Sequence, residues 1–168
     1  ALKRFREVRV PTFVCGEVGL LTVAALVNHQ RGHNSQEMLQ TIASVQRSVC
    51  NIDSAVPDEI LYGRAGYLYA LLLLRQRIAT CANIITDDLI RSVIMAILNS
   101  GIRTAAGMQV GSPLAYFWYN EPYVGAAHGY AGIACLLLES KNFMTHQELA
   151  TLVKPMIDFV CSLQYPNT

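Results

Sequence analysis

Charge is scarce in this chain and nowhere concentrated. Only 15% of its 168 residues are Asp, Glu, Lys or Arg, the formal net charge is +1, and there is no basic run. Affinity for nucleic acid comes largely from neutralised phosphates, so this composition argues against DNA or RNA as a partner. Long apolar runs are also missing. One of the longest, Gly66 to Leu74, stops at Arg75, far short of the ~20 residues a membrane span needs, and no transmembrane segment is expected. The five cysteines are odd in number and show no C-x-x-C spacing. That speaks against a disulfide framework or a zinc ribbon and fits a reducing compartment. There is neither an initiator Met nor a charged-then-apolar leader. Leu2, Phe5 and Val8, spaced by three, read as the end of a helix begun earlier, so the chain is expected to be an internal piece of a longer one.

What the sequence does have is apolar surface. Hydrophobic residues make up 52% of it, above the usual range of about 45–50%, which implies that something else covers part of the molecule. A short turn, Gly-x-x-Gly, occurs as Gly16-Glu17-Val18-Gly19, Gly63-Arg64-Ala65-Gly66 and Gly129-Tyr130-Ala131-Gly132. Each is followed by an apolar segment of helical length, and the three are far enough apart for one helical hairpin each. The hairpins are expected at about 12–51, 62–102 and 128–165. In each, a helix apolar nearly all round precedes an amphipathic one. The first apolar helix, Glu17 to His29, should be buried on every side. Its partner, from Asn34 or Ser35 to about Asn51, shows Met38, Leu39, Ile42, Val45 and Val49 on one face. Thr86 is placed to cap the Asp87–Ile102 helix, and Pro155 to kink or divide the last. Such alternation predicts an all-α, two-layer array with apolar helices inside. Three hairpins do not close a ring, so the terminal edges should be sticky.

Chemistry-bearing residues gather at the turns. His128 stands between small residues directly before the third turn, where an imidazole is either a reachable acid/base group or a cap on the next helix. Asp58 and Glu59 precede the second turn. The segment 103–124 reads as a long loop bearing Tyr116, Phe117, Trp118, Tyr119 and Tyr123. Those aromatics either line or lid a pocket or plug the end of the helix stack. Cys15, beside the first turn, is a reactive thiol or a small buried side chain.

The strings Phe13-Val14-Cys15-Gly16-Glu17-Val18-Gly19, Glu59-Ile60-Leu61-Tyr62-Gly63-Arg64-Ala65-Gly66-Tyr67, Ser112-Pro113-Leu114 with Trp118-Tyr119, and Tyr123-Val124-Gly125-Ala126-Ala127-His128-Gly129 resemble eukaryotic LanC-like proteins, relatives of the bacterial lanthionine synthetase C cyclases. The resemblance spans nearly the whole chain and implies an incomplete α/α toroid. It also implies an enzyme in which zinc, held by two cysteines and a histidine in Trp-Cys-His-Gly and Cys-His-Gly motifs, activates the thiol of glutathione. Neither motif occurs here, so the zinc ligands are expected beyond Thr168 and this piece alone is expected to be inactive and to hold no metal. The implied acceptor is a dehydroalanine or dehydrobutyrine, formed from phosphoserine or phosphothreonine in a peptide or protein.

By the same resemblance His128 is the acid/base group. Bacterial cyclases place an aspartate four residues before a turn glycine. Glu59 holds that position before Gly63, whereas Asp58 holds only the residue type. Glu59 therefore either orients and shares a proton with His128 or serves as a capping or surface carboxylate. Arg64 either binds a phosphate or a glutathione carboxylate or pairs with a neighbouring acid. Trp118 and Tyr123 are the expected substrate contacts. The implied location is cytoplasmic, or peripheral at a membrane. The rival reading is a glutathione-binding adaptor without turnover. A carbohydrate-active toroid would need two carboxylates across a cleft, and near a turn the sequence offers only the adjacent Asp58 and Glu59.

Overall fold

The computed structural model describes residues 12–51, 53–108 and 110–164, so the helix end read at Ala1–Pro11 lies outside the described residues. In chain order the helices are α1 (Glu17–Gln30), α2 (Gln36–Ser44), α3 (Gln46–Val49), α4 (Arg64–Arg77), α5 (Asp87–Ala106), α6 (Tyr130–Glu139), α7 (His146–Glu148) and α8 (Lys154–Ser162). Short 3₁₀ turns follow α4 and α6, and a π-helical turn, Leu149–Val153, joins α7 to α8. The only extended pairing among the described residues is the single bridge between Trp118 and Glu121. Helices α1, α4 and α6 lie side by side with α4 in the middle, and each is backed by the helix that follows it, α2, α5 and α8 respectively. The result is a two-layer arc, an incomplete α/α toroid.

The Gly-x-x-Gly turns explain why the inner helices start where they do. No side chain caps α1, α4 or α6, although their N-caps, Gly16, Gly63 and Gly129, stand where a serine or aspartate would ordinarily serve. The preceding backbone does the work instead. Arg64 N–H donates to Pro57 O at 2.9 Å and Ala65 N–H to Asp58 O at 3.2 Å; Tyr130 N–H donates to Tyr123 O and Ala131 N–H to Val124 O, both at 3.0 Å. This fold-back brings a carbonyl onto the second glycine of each turn. A Cβ added at Gly19, Gly66 or Gly132 would lie 1.8, 2.1 or 2.0 Å from the carbonyl oxygen of Phe13, Ile60 or Ala126. Backbone cannot yield as a side-chain tip can. Gly66→Ala is therefore expected to cost about 3 kcal/mol or more, at the upper end of overpacking losses. Urea denaturation followed by circular dichroism measures it, and a midpoint like that of the wild type would show that the fold-back is not needed.

The middle helix is enclosed as expected: Ala65, Tyr67, Leu68, Ala70, Leu71 and Leu74 of α4 are buried. Helix α1 departs from the expectation. Leu20, Val23 and Val27 are 65%, 54% and 42% exposed, because among the described residues α1 has an inner-layer neighbour, α4, on only one flank. This face is apolar and exposed.

Helix ends follow local chemistry. Thr86 Oγ1 accepts from Leu89 N–H at 3.2 Å, as a cap should. Ser35 instead sends its hydroxyl across the hairpin to Ala25 O, 2.9 Å away. Pro155 falls at the start of α8, directly after the π turn, where the Lys154 N–H reaches back to Leu149 O. The missing proline donor is accommodated by dividing the helix there. Helix α5 runs on to Ala106 and so shortens the expected loop. It has the length and mean hydropathy, 1.2, of a membrane span, but it packs against α4 and α3 and buries Leu89, Ile90, Val93, Ile94, Ile97 and Leu98.

Arg91 of α5 clamps Glu148 of α7, with Nη1 2.9 Å from Oε2 and Nη2 bonded to Oε1. These hydrogen bonds, with help from Thr145, hold the carboxyl down at about 2 against an ordinary 4.5. Because the folded value is the lower one, the pair's contribution is complete above about pH 4.5 and drains away as the pH falls toward 2. Glu148→Gln should flatten the acid limb of a stability–pH curve; an unchanged limb would show that the pair contributes nothing.

Candidate functional site

The three turns lie side by side at one end of the inner layer, laced by their backbones. Cys15 N–H donates to Leu61 O and Ile60 N–H to Ala127 O, each at 3.3 Å, and Thr12 Oγ1 donates to Leu61 O at 2.7 Å. Turn two thereby carries the residues before it against those before turn three. Glu59, 2% exposed, and His128, 29% exposed, meet there, with Nδ1 2.7 Å from Oε2.

The carboxylate of Glu59 also accepts from two backbone donors: Leu61 N–H at 3.1 Å on Oε2 and Tyr62 N–H on Oε1. With its own chain closing a turn around it, the group is fixed as an acceptor, so Nδ1 of His128 is the donor in the pair. Nε2, on the far side of the ring, has no partner among the described residues. A buried carboxylate holding one imidazole nitrogen while the other is unpaired among the described residues is an arrangement that a general acid/base can use. The structure thus brings Glu59 and His128 together, and Asp58 goes elsewhere.

Asp58 and Arg64 form a separate buried network. Arg64, 2% exposed, uses all five of its N–H donors: Nε to Val49 O, Nη1 to Val56 O and Asp58 Oδ1, Nη2 to Asn51 O and Ser54 Oγ. This corrects the expectation of a ligand-binding arginine, because no N–H is left for a phosphate or a glutathione carboxylate; the pairing alternative is the one realised. Burial pushes the Asp58 carboxyl above its ordinary value, with Arg64 and a 2.6 Å hydrogen bond from Ser100 Oγ opposing the rise.

The aromatic segment divides between the helix stack and the surroundings of His128. Tyr116 is buried against α5, with its hydroxyl 3.3 Å from Ile97 O and its ring over Gly101, and plugs the stack. Trp118 instead comes to the site. Its ring lies parallel to His128, at 2° and a centroid distance of 5.2 Å. Tyr123 stands 6.0 Å from the imidazole, tilted by 54° and partly open to solvent.

Sequence reasoning missed Tyr62, whose ring is 5.2 Å from Trp118 and 6.3 Å from His128, parallel to both within 5°. Register carries the signal that would have found it: Cys15, Tyr62 and His128 are the residues immediately before the first glycine of their turns. Cys15 is exposed rather than buried, and its hydrogen bond and charge hold the Tyr62 hydroxyl above the usual phenol range. Among the described residues no three of His, Cys, Asp and Glu stand close enough to hold a metal. The residues present do not fit a zinc ion.

Residues 2–168 match the protein family described as lanthionine synthetase C-like protein. Two curated proteins are similar over most of the chain. Zebrafish (Danio rerio) glutathione S-transferase LANCL1 is 39% identical over 160 residues, which cover 93% of this chain and 39% of that protein. Arabidopsis thaliana LanC-like protein GCL1 is 30% identical over 165 residues, 94% of this chain and 37% of that one. The chain thus spans about two fifths of the length of these relatives.

Proposed function

The chain belongs to the lanthionine synthetase C-like family, and from that premise we propose that it supplies the acid/base part of an enzyme adding glutathione to dehydroamino acids in peptides or proteins. The observation that carries this reading is the 2.7 Å contact between His128 Nδ1 and a buried Glu59, with Nε2 unpaired among the described residues. The name of the zebrafish relative, a glutathione S-transferase, supports glutathione as the thiol.

In the reaction, the thiol gives up its proton and the sulfur electron pair forms a C–S bond to the β-carbon of dehydroalanine or dehydrobutyrine. The electrons of the double bond move onto the α-carbon and its carbonyl as an enolate, and a proton returns to the α-carbon. His128 Nε2 is the group that moves that proton: it accepts one as the thiol ionises and delivers one to the enolate, while Glu59 balances the imidazolium charge in between. Trp118 and Tyr123 flank the imidazole where the acceptor peptide must pass. Zinc, which the family resemblance implies for thiol activation, has no ligand set among the described residues, and no step above passes through it.

The test is incubation of the full-length protein with glutathione and a dehydroalanine peptide, read by mass spectrometry. A glutathione adduct formed faster than in buffer supports the reading. Glutathione binding without adduct would overturn it in favour of an adaptor.

A further inference from the structure

Tyr62 is 38% exposed, so the core does not depend on its ring, yet its backbone is held and its ring has aromatic neighbours. Its N–H is bonded to Glu59 Oε1. The distances among three rings fix where it lies. Tyr62 and His128 are each 5.2 Å from Trp118, with all planes parallel within 5°. Two rings on opposite faces of a third stand at least about 7 Å apart, two contact thicknesses of ~3.5 Å. The Tyr62–His128 distance is 6.3 Å. The two rings therefore lie side by side, and Trp118 spans the same face of both.

Trp118 reaches this seat from a two-residue reverse turn whose central residues, Tyr119 and Asn120, have φ of 48° and 65°. Asparagine tolerates the left-handed region, but for tyrosine it is costly, and such strain persists where surrounding contacts hold it. The turn is closed by two backbone hydrogen bonds between Trp118 and Glu121, each at 3.0 Å, and the indole it carries is held by the rings on which it rests and by the edge of Tyr119, at 4.6 Å.

We infer that Tyr62 is a positioning residue: its ring is the rest on which Trp118 is seated, and through Trp118 it fixes the plane of the His128 imidazole so that the Nε2 edge faces substrate. The seating stands on ring geometry alone; its consequence for rate rests on the proposed function.

Trp118 is the only tryptophan of the chain, so its emission reports the stack directly. An imidazolium stacked on an indole quenches it. Besides Trp118, the groups facing His128 are Glu59, Tyr62 and Tyr123. In the wild-type 168-residue chain, emission should fall in a step as the pH is lowered, and His128→Gln should abolish the step. Tyr62→Ser is expected to shift emission to longer wavelength and to lose the step, whereas Tyr62→Phe keeps both. Tyr62→Leu gives the same reading should the serine variant not fold. Wild-type emission and a wild-type pH step in Tyr62→Leu or Tyr62→Ser, with helical circular dichroism intact, would overturn the inference. In the full-length enzyme the leucine variant should lower kcat, leave KM for glutathione unchanged, and be rescued by phenylalanine. Loss of the emission step with unchanged kcat would leave the seating intact and sink the assignment of His128 as the reacting group.

Discussion

His128→Ala in the full-length protein is expected to lower kcat for glutathione addition by about 10²–10⁴-fold while leaving glutathione binding in place, the loss expected on removing a positioned acid/base group. Glu59→Gln should cost less, about 10–100-fold, in the range observed when the partner that orients a histidine is lost. The carboxamide argument is specific. Three donors converge on the Glu59 carboxylate: His128 Nδ1, Leu61 N–H and Tyr62 N–H. A glutamine presents one oxygen and one NH₂, so at least one donor then faces another. Either the imidazole rotates away or the turn loosens, and both misplace Nε2. Steady-state kinetics separate the cases: a rise in KM with kcat unchanged would make His128 a binding group, and turnover by His128→Ala at the wild-type rate would remove it from the reaction altogether.

Much of this site was legible because the turns repeat. A glycine at the second position of each turn is demanded by a carbonyl about 2 Å from where a Cβ would sit, and that demand is written in the sequence as Gly-x-x-Gly. The resemblance to bacterial cyclases, which place an aspartate four residues before a turn glycine, pointed to Glu59 as a partner of His128 or else as a capping or surface carboxylate. What spacing could not show was which neighbouring acid goes inward to the site. Asp58 and Glu59 are adjacent and similar, and the choice is made by Arg64 and Ser100, which take Asp58. Tyr62 escaped notice because its role depends on Trp118, which is 56 positions later in a loop without periodicity. The exposed face of α1 was misread for a related reason: an apolar helix reads the same whether its second neighbour is present or lies elsewhere.

Arg64→Met should destabilise the chain by about 3–5 kcal/mol, as expected when one partner of a buried ion pair is removed. The substitution keeps much of the volume but leaves Asp58 buried without its cation and strips donors from Val49 O, Asn51 O and Val56 O. For a domain whose whole stability is about 5–15 kcal/mol, that is about a fifth or more. Arg64→Lys should recover little, because an ammonium on a flexible stem cannot reproduce a planar fork bonding Val49, Asn51, Ser54, Val56 and Asp58 at once. Removing the stranded charge as well, in Asp58→Asn/Arg64→Met, should return part of the loss, and the double-mutant cycle in urea measures how much of it belongs to the pair. The segment that Arg64 gathers, 49–58, leads directly into Glu59, and the Arg64 N–H itself is bonded to Pro57 O. The arginine therefore acts on chemistry at one remove: it holds the backbone from which the carboxylate reaches His128. A full-length Arg64→Lys variant that stays folded should lose kcat in parallel with Glu59→Gln and keep its affinity for glutathione. A selective loss of glutathione affinity would instead return Arg64 to the role of ligand-binding group, against the burial and full hydrogen bonding of its guanidinium.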